Sequence, residues 1–235
     1  MISLVTVLSA IAIVPSAPLL VPELASSAAG ETEDARSAAI AAAAGLPSRW
    51  IAVGVAQDDG VYGPAAAGTF GGYGVDVRVA LSPQAAGADP VALPLCALIA
   101  GWLRGQARPD ATVEVHTLRG DLPSAAAVDH GKALRERLDA DADAVGVLIV
   151  ADGANTLTPA APGGYDEHSP AVQAALDDAL AAGDPAALTQ LPDSVLGRPA
   201  YQVLAGLTGS RPQGAEELYR GAPYGVGYFV GVWTP

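Results

Sequence analysis

The sequence predicts an α/β fold, a central mixed sheet with helices on both faces. Short apolar runs of strand length alternate along the chain with alanine-rich helical stretches. Most of these runs are continuous and rich in Val and Ile, as strands covered on both faces are. No repeat, coiled coil or long linker divides the 235 residues, so a single domain spanning 1–235 is expected.

The first strand is placed at Ala10 to Val14, and the next four at Trp50 to Ala56, Val75 to Ala80, Thr112 to Leu118 and Val145 to Ala151. Helices are placed between them at Glu31 to Ala44, Leu93 to Gly105 and Ser124 to Leu138. The last carries Arg135 and Arg137 with Asp139 and Asp141 around its exposed end. A Gly- and Pro-rich loop, Asp152 to Gly164, leads to helices at Pro170 to Ala182, Pro185 to Leu191 and Ala200 to Leu207. Two short strands, Glu217 to Tyr219 and Gly227 to Trp233, close the chain. Ligands on such sheets bind at the carboxyl ends of strands, so the loops after Val14, Ala56 and Ala151 are expected to share one cleft.

Composition narrows the classes of partner. The net charge of −13 and the lack of a basic cluster exclude a phosphate-backbone partner, so no nucleic acid is expected. Mean hydropathy is +0.32, inflated by alanine, and no later window offers the apolar length of a membrane span. Met1 to Val14 is almost wholly apolar but lacks a basic leader. It reads as a buried first strand with a possible extension over 1–9, in a cytoplasmic protein. The lone cysteine, Cys96, lies in an apolar run and reads as a small core residue.

Common catalytic signatures are missing: there is no phosphate loop, no nucleophile elbow, no zinc-protease helix and no dinucleotide fingerprint. Gly68-Thr-Phe-Gly-Gly-Tyr-Gly74 reads as a turn before a strand. Of three histidines, His116 is expected inside a strand with its ring bonded to backbone, and His130 on a solvated helix face. Asp166-Glu167-His168 precedes a helix and reads as an N-terminal cap, with a ligand role as the alternative.

Several segments, in order along the chain, resemble the B subunit of class III extradiol ring-cleaving dioxygenases and the related Memo-like proteins. Ile13-Val-Pro-Ser-Ala-Pro-Leu-Leu-Val-Pro-Glu23 is similar to the family's opening strand with His-Pro-Pro-Leu-Leu-x-Pro-Glu. Trp50 to Asp58 is similar to the strand ending in Ser-Pro-His, with the Gly68 to Gly74 stretch downstream. Val147-Leu-Ile-Val-Ala-Asp-Gly-Ala-Asn155 resembles the strand leading into Gly-Asp-Leu-Ser-His, and Leu157 to Glu167 follows the family loop. Tyr219-Arg-Gly-Ala-Pro-Tyr-Gly-Val-Gly-Tyr-Phe-Val230 is similar to Tyr-Glu-x-Pro-Phe-Gly-Val-Gly-Tyr.

The resemblance implies the α/β fold of that subunit and a non-haem Fe(II) held by two histidines and a glutamate, where catechol and O2 meet. This chain departs from it where the chemistry is carried. Ser16 stands for the first histidine, Gln57 or Asp58 for the second, Asn155 for the acid/base histidine, and Arg220 (or Gly221) for the glutamate. Arginine has no lone pair to donate and asparagine does not titrate, so no cofactor is expected.

The expectation is therefore a non-catalytic, small-molecule-binding homologue with a degenerate cleft of Ser16, Gln57, Asp58, Asn155 and Arg220. Arg220 is expected to fill part of the lost ion's charge space by pairing with Asp58, and with Asp152 as a further partner. The opposing reading leaves Arg220 in solvent and makes Asp58-Asp59-Gly60 a turn. Its ligand is expected to be a small aromatic or anionic molecule. A first alternative is an active metalloenzyme with a relocated site built from Asp58, Asp152, Asp166 and His168, with Asp59 and Glu167 nearby. A second is a non-catalytic subunit of an oligomer, with 1–9 as the contact and a homo-oligomer as one form.

Overall fold

The computed structural model describes residues 8–25, 30–141 and 143–235. The N-terminal extension lies outside them except for Leu8 and Ser9, which open the first strand.

The sheet comprises β1 (Leu8–Val14), β2 (Arg49–Ala56), β3 (Gly60–Tyr62), β6 (Thr112–Arg119), β7 (Val145–Val150), β8 (Gly214–Gly221) and β9 (Tyr228–Thr234). Its order is β3-β6-β2-β7-β1-β9-β8. The inner four, β6, β2, β7 and β1, run parallel, and β3 and β9 add antiparallel to either side. The sheet is mixed, as the sequence implies. A separate ribbon pairs β4 (Ala67–Thr69) with β5 (Arg78–Ala80).

Alternate side chains along the strands enter different cores, because successive Cβ atoms point to opposite faces. Ala12, Val14, Trp50, Leu148 and Val150 pack on one face with α2 (Glu33–Ala44) and α3 (Leu95–Ala107). Ile11, Ile13, Ile51, Val53, Val147 and Ile149 pack on the other with α4 (Ser124–Asp139), α5 (Ser169–Ala181) and α7 (Arg198–Thr208). Two one-turn helices, α1 (Pro22–Ala25) and α6 (Pro185–Leu188), complete the set. Cys96 is fully buried against the bare Cα of Gly54, and burial pushes its thiol up to about 12, as suits a core residue.

The expected strand over Val75 to Ala80 survives only as Arg78–Ala80. Gly74 turns the chain at a φ of 99°, and the Thr69 hydroxyl holds the Asp76 carboxylate at 2.5 Å, which keeps the preceding residues in a loop. At the end of α4, Arg135 bonds Asp139 as expected, but Arg137 bonds Glu114 on β6 and Asp141 pairs with Arg49. Among the described residues no helix is long and apolar enough to cross a membrane.

Candidate functional site

Because β1, β7 and β2 are parallel neighbours, the loops that follow Val14, Val150 and Ala56 leave the sheet at one edge. The register carries Ala151 onto β1, its N–H donating to the Val14 carbonyl at 2.9 Å. One residue on, the Asp152 carboxylate accepts the Ser16 backbone N–H at 2.8 Å. Burial pushes the Asp152 carboxyl up to about 7, against the pull of that N–H. The residue as a whole is half-buried. Two tyrosines lie within its field. Tyr228 at the start of β9 is raised by burial and then by Asp152 and Tyr219. Tyr201 on α7 is raised by burial, Asp152 and Asp177, and donates to the Ala151 carbonyl at 2.9 Å.

The loop after Asp152 is clamped from behind by Gln173, a polar residue on the buried face of α5. Its Oε1 accepts the Ala154 N–H at 2.9 Å and its Nε2 donates to Asp177 at 2.8 Å. Two backbone bonds tie this loop to the residue before β9, Gly153 N–H to Gly227 O and Gly227 N–H to Ala154 O, each at 2.8 Å. A Cβ on either glycine would fall 2.0 Å from Gln173 Oε1, so the carboxamide fits only against bare backbone. Burial also pushes the Asp177 carboxyl up to about 6, opposed by the Gln173 bond and by Arg220. Sequence reading missed Gln173 and Asp177. Their spacing of four residues beside Val172, Leu176 and Leu180, two polar groups on the apolar face of one helix, is the signal that could have found them.

The cleft expected from the sequence is only partly assembled. Ser16 and Asp152 meet as described. Asn155 lies on the same loop, its carbonyl accepting the Gly163 N–H at 3.0 Å. Gln57 and Asp58 are exposed where β2 ends; the Asp58 carbonyl accepts the Thr117 hydroxyl at 2.9 Å and Asp59 accepts the Arg119 N–H at 2.7 Å. Asp58-Asp59-Gly60 is thus the turn into β3. Arg220 does not pair with Asp58 or Asp152. Its guanidinium bonds Glu217 through Nε at 2.8 Å and again through Nη2, and Asp178 on α5 at 2.9 Å. It belongs to the edge strand β8, four strand positions from β2, a separation of roughly 19 Å at about 4.8 Å per strand.

The relocated acidic metal site is not assembled either. Asp166 accepts the His168 N–H at 2.9 Å and shapes the turn into α5, while the His168 side chain is 84% exposed. Among the described residues no three His, Cys, Asp or Glu side chains gather in a way that would hold a metal ion. The iron implied by the resemblance does not fit the residues at its positions: a serine, a turn-forming Gln-Asp pair and an ion-paired arginine supply no triad of lone-pair donors.

The other two histidines come together. His116 on β6 is buried with Nε2 2.8 Å from Glu114 Oε1, so its ring is held by a side chain and not by backbone. Its Nδ1 lies 3.4 Å from Nε2 of His130, which is half-buried and not on a solvated face. The pKa of His130 is lowered by burial, by His116 and by Arg137, and Asp59 opposes the shift.

No family model matches the chain, and no curated protein matches it. Among solved structures it is similar to the crystal structure of uncharacterized protein JW3007 from Escherichia coli K12, with a TM-score of 0.55 and 12% identity over 96% of this chain and 99% of that one. At that identity the likeness is one of fold, and the chain is an α/β protein with a seven-stranded mixed sheet flanked by helices on both faces.

Proposed function

We propose that the chain is a non-catalytic relative of the extradiol dioxygenase B subunits. It binds a small hydroxylated aromatic molecule at the carboxyl edge of its sheet. One observation carries the reading: the Asp152 carboxyl, on a half-buried residue at the end of the central strand β7, has a pKa of about 7. Near neutral pH such a group both donates and accepts, which suits a phenolic hydroxyl. An anionic ligand fits less well, because the net charge is −13 and Asp152 itself is charged above its pKa. The five resembling segments supply the kinship, and the dispersal of Arg220 and Asp58 supports loss of the ring-opening chemistry.

The test is calorimetric titration of the chelator-treated chain with a panel of uncharged catechols and phenols, alongside a ring-cleavage assay with added Fe(II). Saturable binding that Asp152→Ala abolishes, with no ring-opened product, is the expected result. A ring-opened product would refute the non-catalytic reading, and a panel without any saturable ligand would refute the binding one.

A further inference from the structure

We propose that His116 Nδ1 and His130 Nε2 are the protein ligands of a site for a borderline divalent cation of the Zn2+ class. The site is distinct from the carboxyl-edge site and independent of it. The two nitrogens lie 3.4 Å apart, with ring planes crossing at 80°. That separation is long for a direct N–H···N hydrogen bond. It is the separation of two imidazole nitrogens each about 2.05 Å from one tetrahedral zinc, which places them roughly 3.35 Å apart.

The surroundings match what a metal-binding imidazole needs. Glu114 Oε1 lies 2.8 Å from His116 Nε2 and is itself ion-paired with Arg137 at 2.9 Å, whose Nη2 also stands 3.2 Å from that nitrogen. The shorter contact, to the carboxylate, takes the Nε2–H and leaves the Nδ1 lone pair facing His130, while the Arg137 donors go to Glu114. This is the carboxylate–histidine arrangement that orients metal ligands. Both rings line a cavity of about 410 Å3 with Asp59, Thr117 and Leu118, so an ion between them is reachable from solvent. Asp59 has one oxygen on the Arg119 N–H and adds negative charge to the cavity wall without acting as a ligand. No third side chain completes the shell among the described residues, so its remaining positions belong to water or to a small oxygen ligand. Imidazole nitrogen selects zinc, copper or nickel over calcium and magnesium.

The chain has three histidines, which makes the test clean. Tag-free, metal-stripped protein is titrated with Zn2+ by calorimetry, and the histidine ring signals are followed by NMR. We expect saturation at a single equivalent, with two ring systems shifting together and the third unmoved. His130→Ala, at a half-buried helix position, should abolish the binding while circular dichroism stays that of the parent. Glu114→Gln should weaken it about 10-fold or more, and His168→Ala should leave it intact. Failure to saturate would mean that the rings form a histidine–histidine contact only, and the proposal falls. It falls equally if His130→Ala binds as the parent does, or if His168→Ala loses the ion.

Discussion

The backbone N–H of Ser16 reaches across from the end of β1 to the Asp152 carboxylate at the end of β7, 2.8 Å away. A single such bond does not offset the burial of a charge, which is why the Asp152 carboxyl is held at about 7 when free carboxyls titrate near 4.

This shift makes stability depend on pH with a definite sign. Between about pH 4 and pH 7 the folded chain holds a proton on Asp152 that the unfolded chain releases, so stability falls as pH rises through that window. Asp177, raised to about 6, adds to the same trend over the lower part. Urea unfolding of the parent and of Asp152→Asn at the two ends of the window checks this. The variant should lose a smaller part of its midpoint on going to high pH. Equal losses in both proteins would remove Asp152 as the cause.

Gln173 makes the glycines beside it indispensable. Gly153→Ala forces a Cβ against its carboxamide and should cost about 1–3 kcal/mol, the usual penalty of overpacking. Gln173→Ala should cost a similar amount, because it leaves the Ala154 N–H unsatisfied and Asp177 without its donor. The double variant should cost less than the sum, since alanine at 173 makes room for the new methyl. Strict additivity in denaturant titrations would contradict the clamp.

A second pair of glycines joins α4 to α7. A Cβ at Gly131 would meet the Val203 carbonyl at 2.2 Å, and one at Gly206 the Val128 carbonyl at 2.0 Å. Alanine normally stabilises a helix interior over glycine by roughly 0.5–1 kcal/mol. Here the obstacle is backbone that cannot step aside, so Gly206→Ala should lower the thermal midpoint. A raised midpoint would show that the two helices do not pack this closely.

Arg220 is predicted to matter little to folding. Its bonds to Glu217 and Asp178 lie at the surface, where such pairs contribute less than about 1 kcal/mol. Arg220→Ala should change stability by no more than that and leave binding at the carboxyl edge unaltered. Loss of the Asp152-dependent titration in this variant would restore a role for Arg220 in the cleft.

The kind and order of most elements were legible in the residues themselves. Ile11 and Ile13, or Val147 and Ile149, announce strands because β-branched runs of that length suit a doubly covered sheet. The five longer helices and the turns after β7 follow the same local logic. The exceptions are short: β3 and β4 span three residues each and α1 four, too few for any periodicity to mark them. The site was less legible. Ser16 meets Asp152 where adjacent parallel strands end, and that meeting follows from alternating β and α elements. Arg220 was assigned partners that its strand cannot reach.

The sequence by itself determined which segments become strands and helices, which faces are apolar, and which loops leave the carboxyl edge, since each depends on neighbours a few residues away. Tertiary structure alone decided that β8 lies at the rim, that Gln173 sits between Gly153 and Gly227, and that His116 meets His130. These are contacts between residues distant in the chain. Strand order and interhelix packing set them, and no local pattern encodes either.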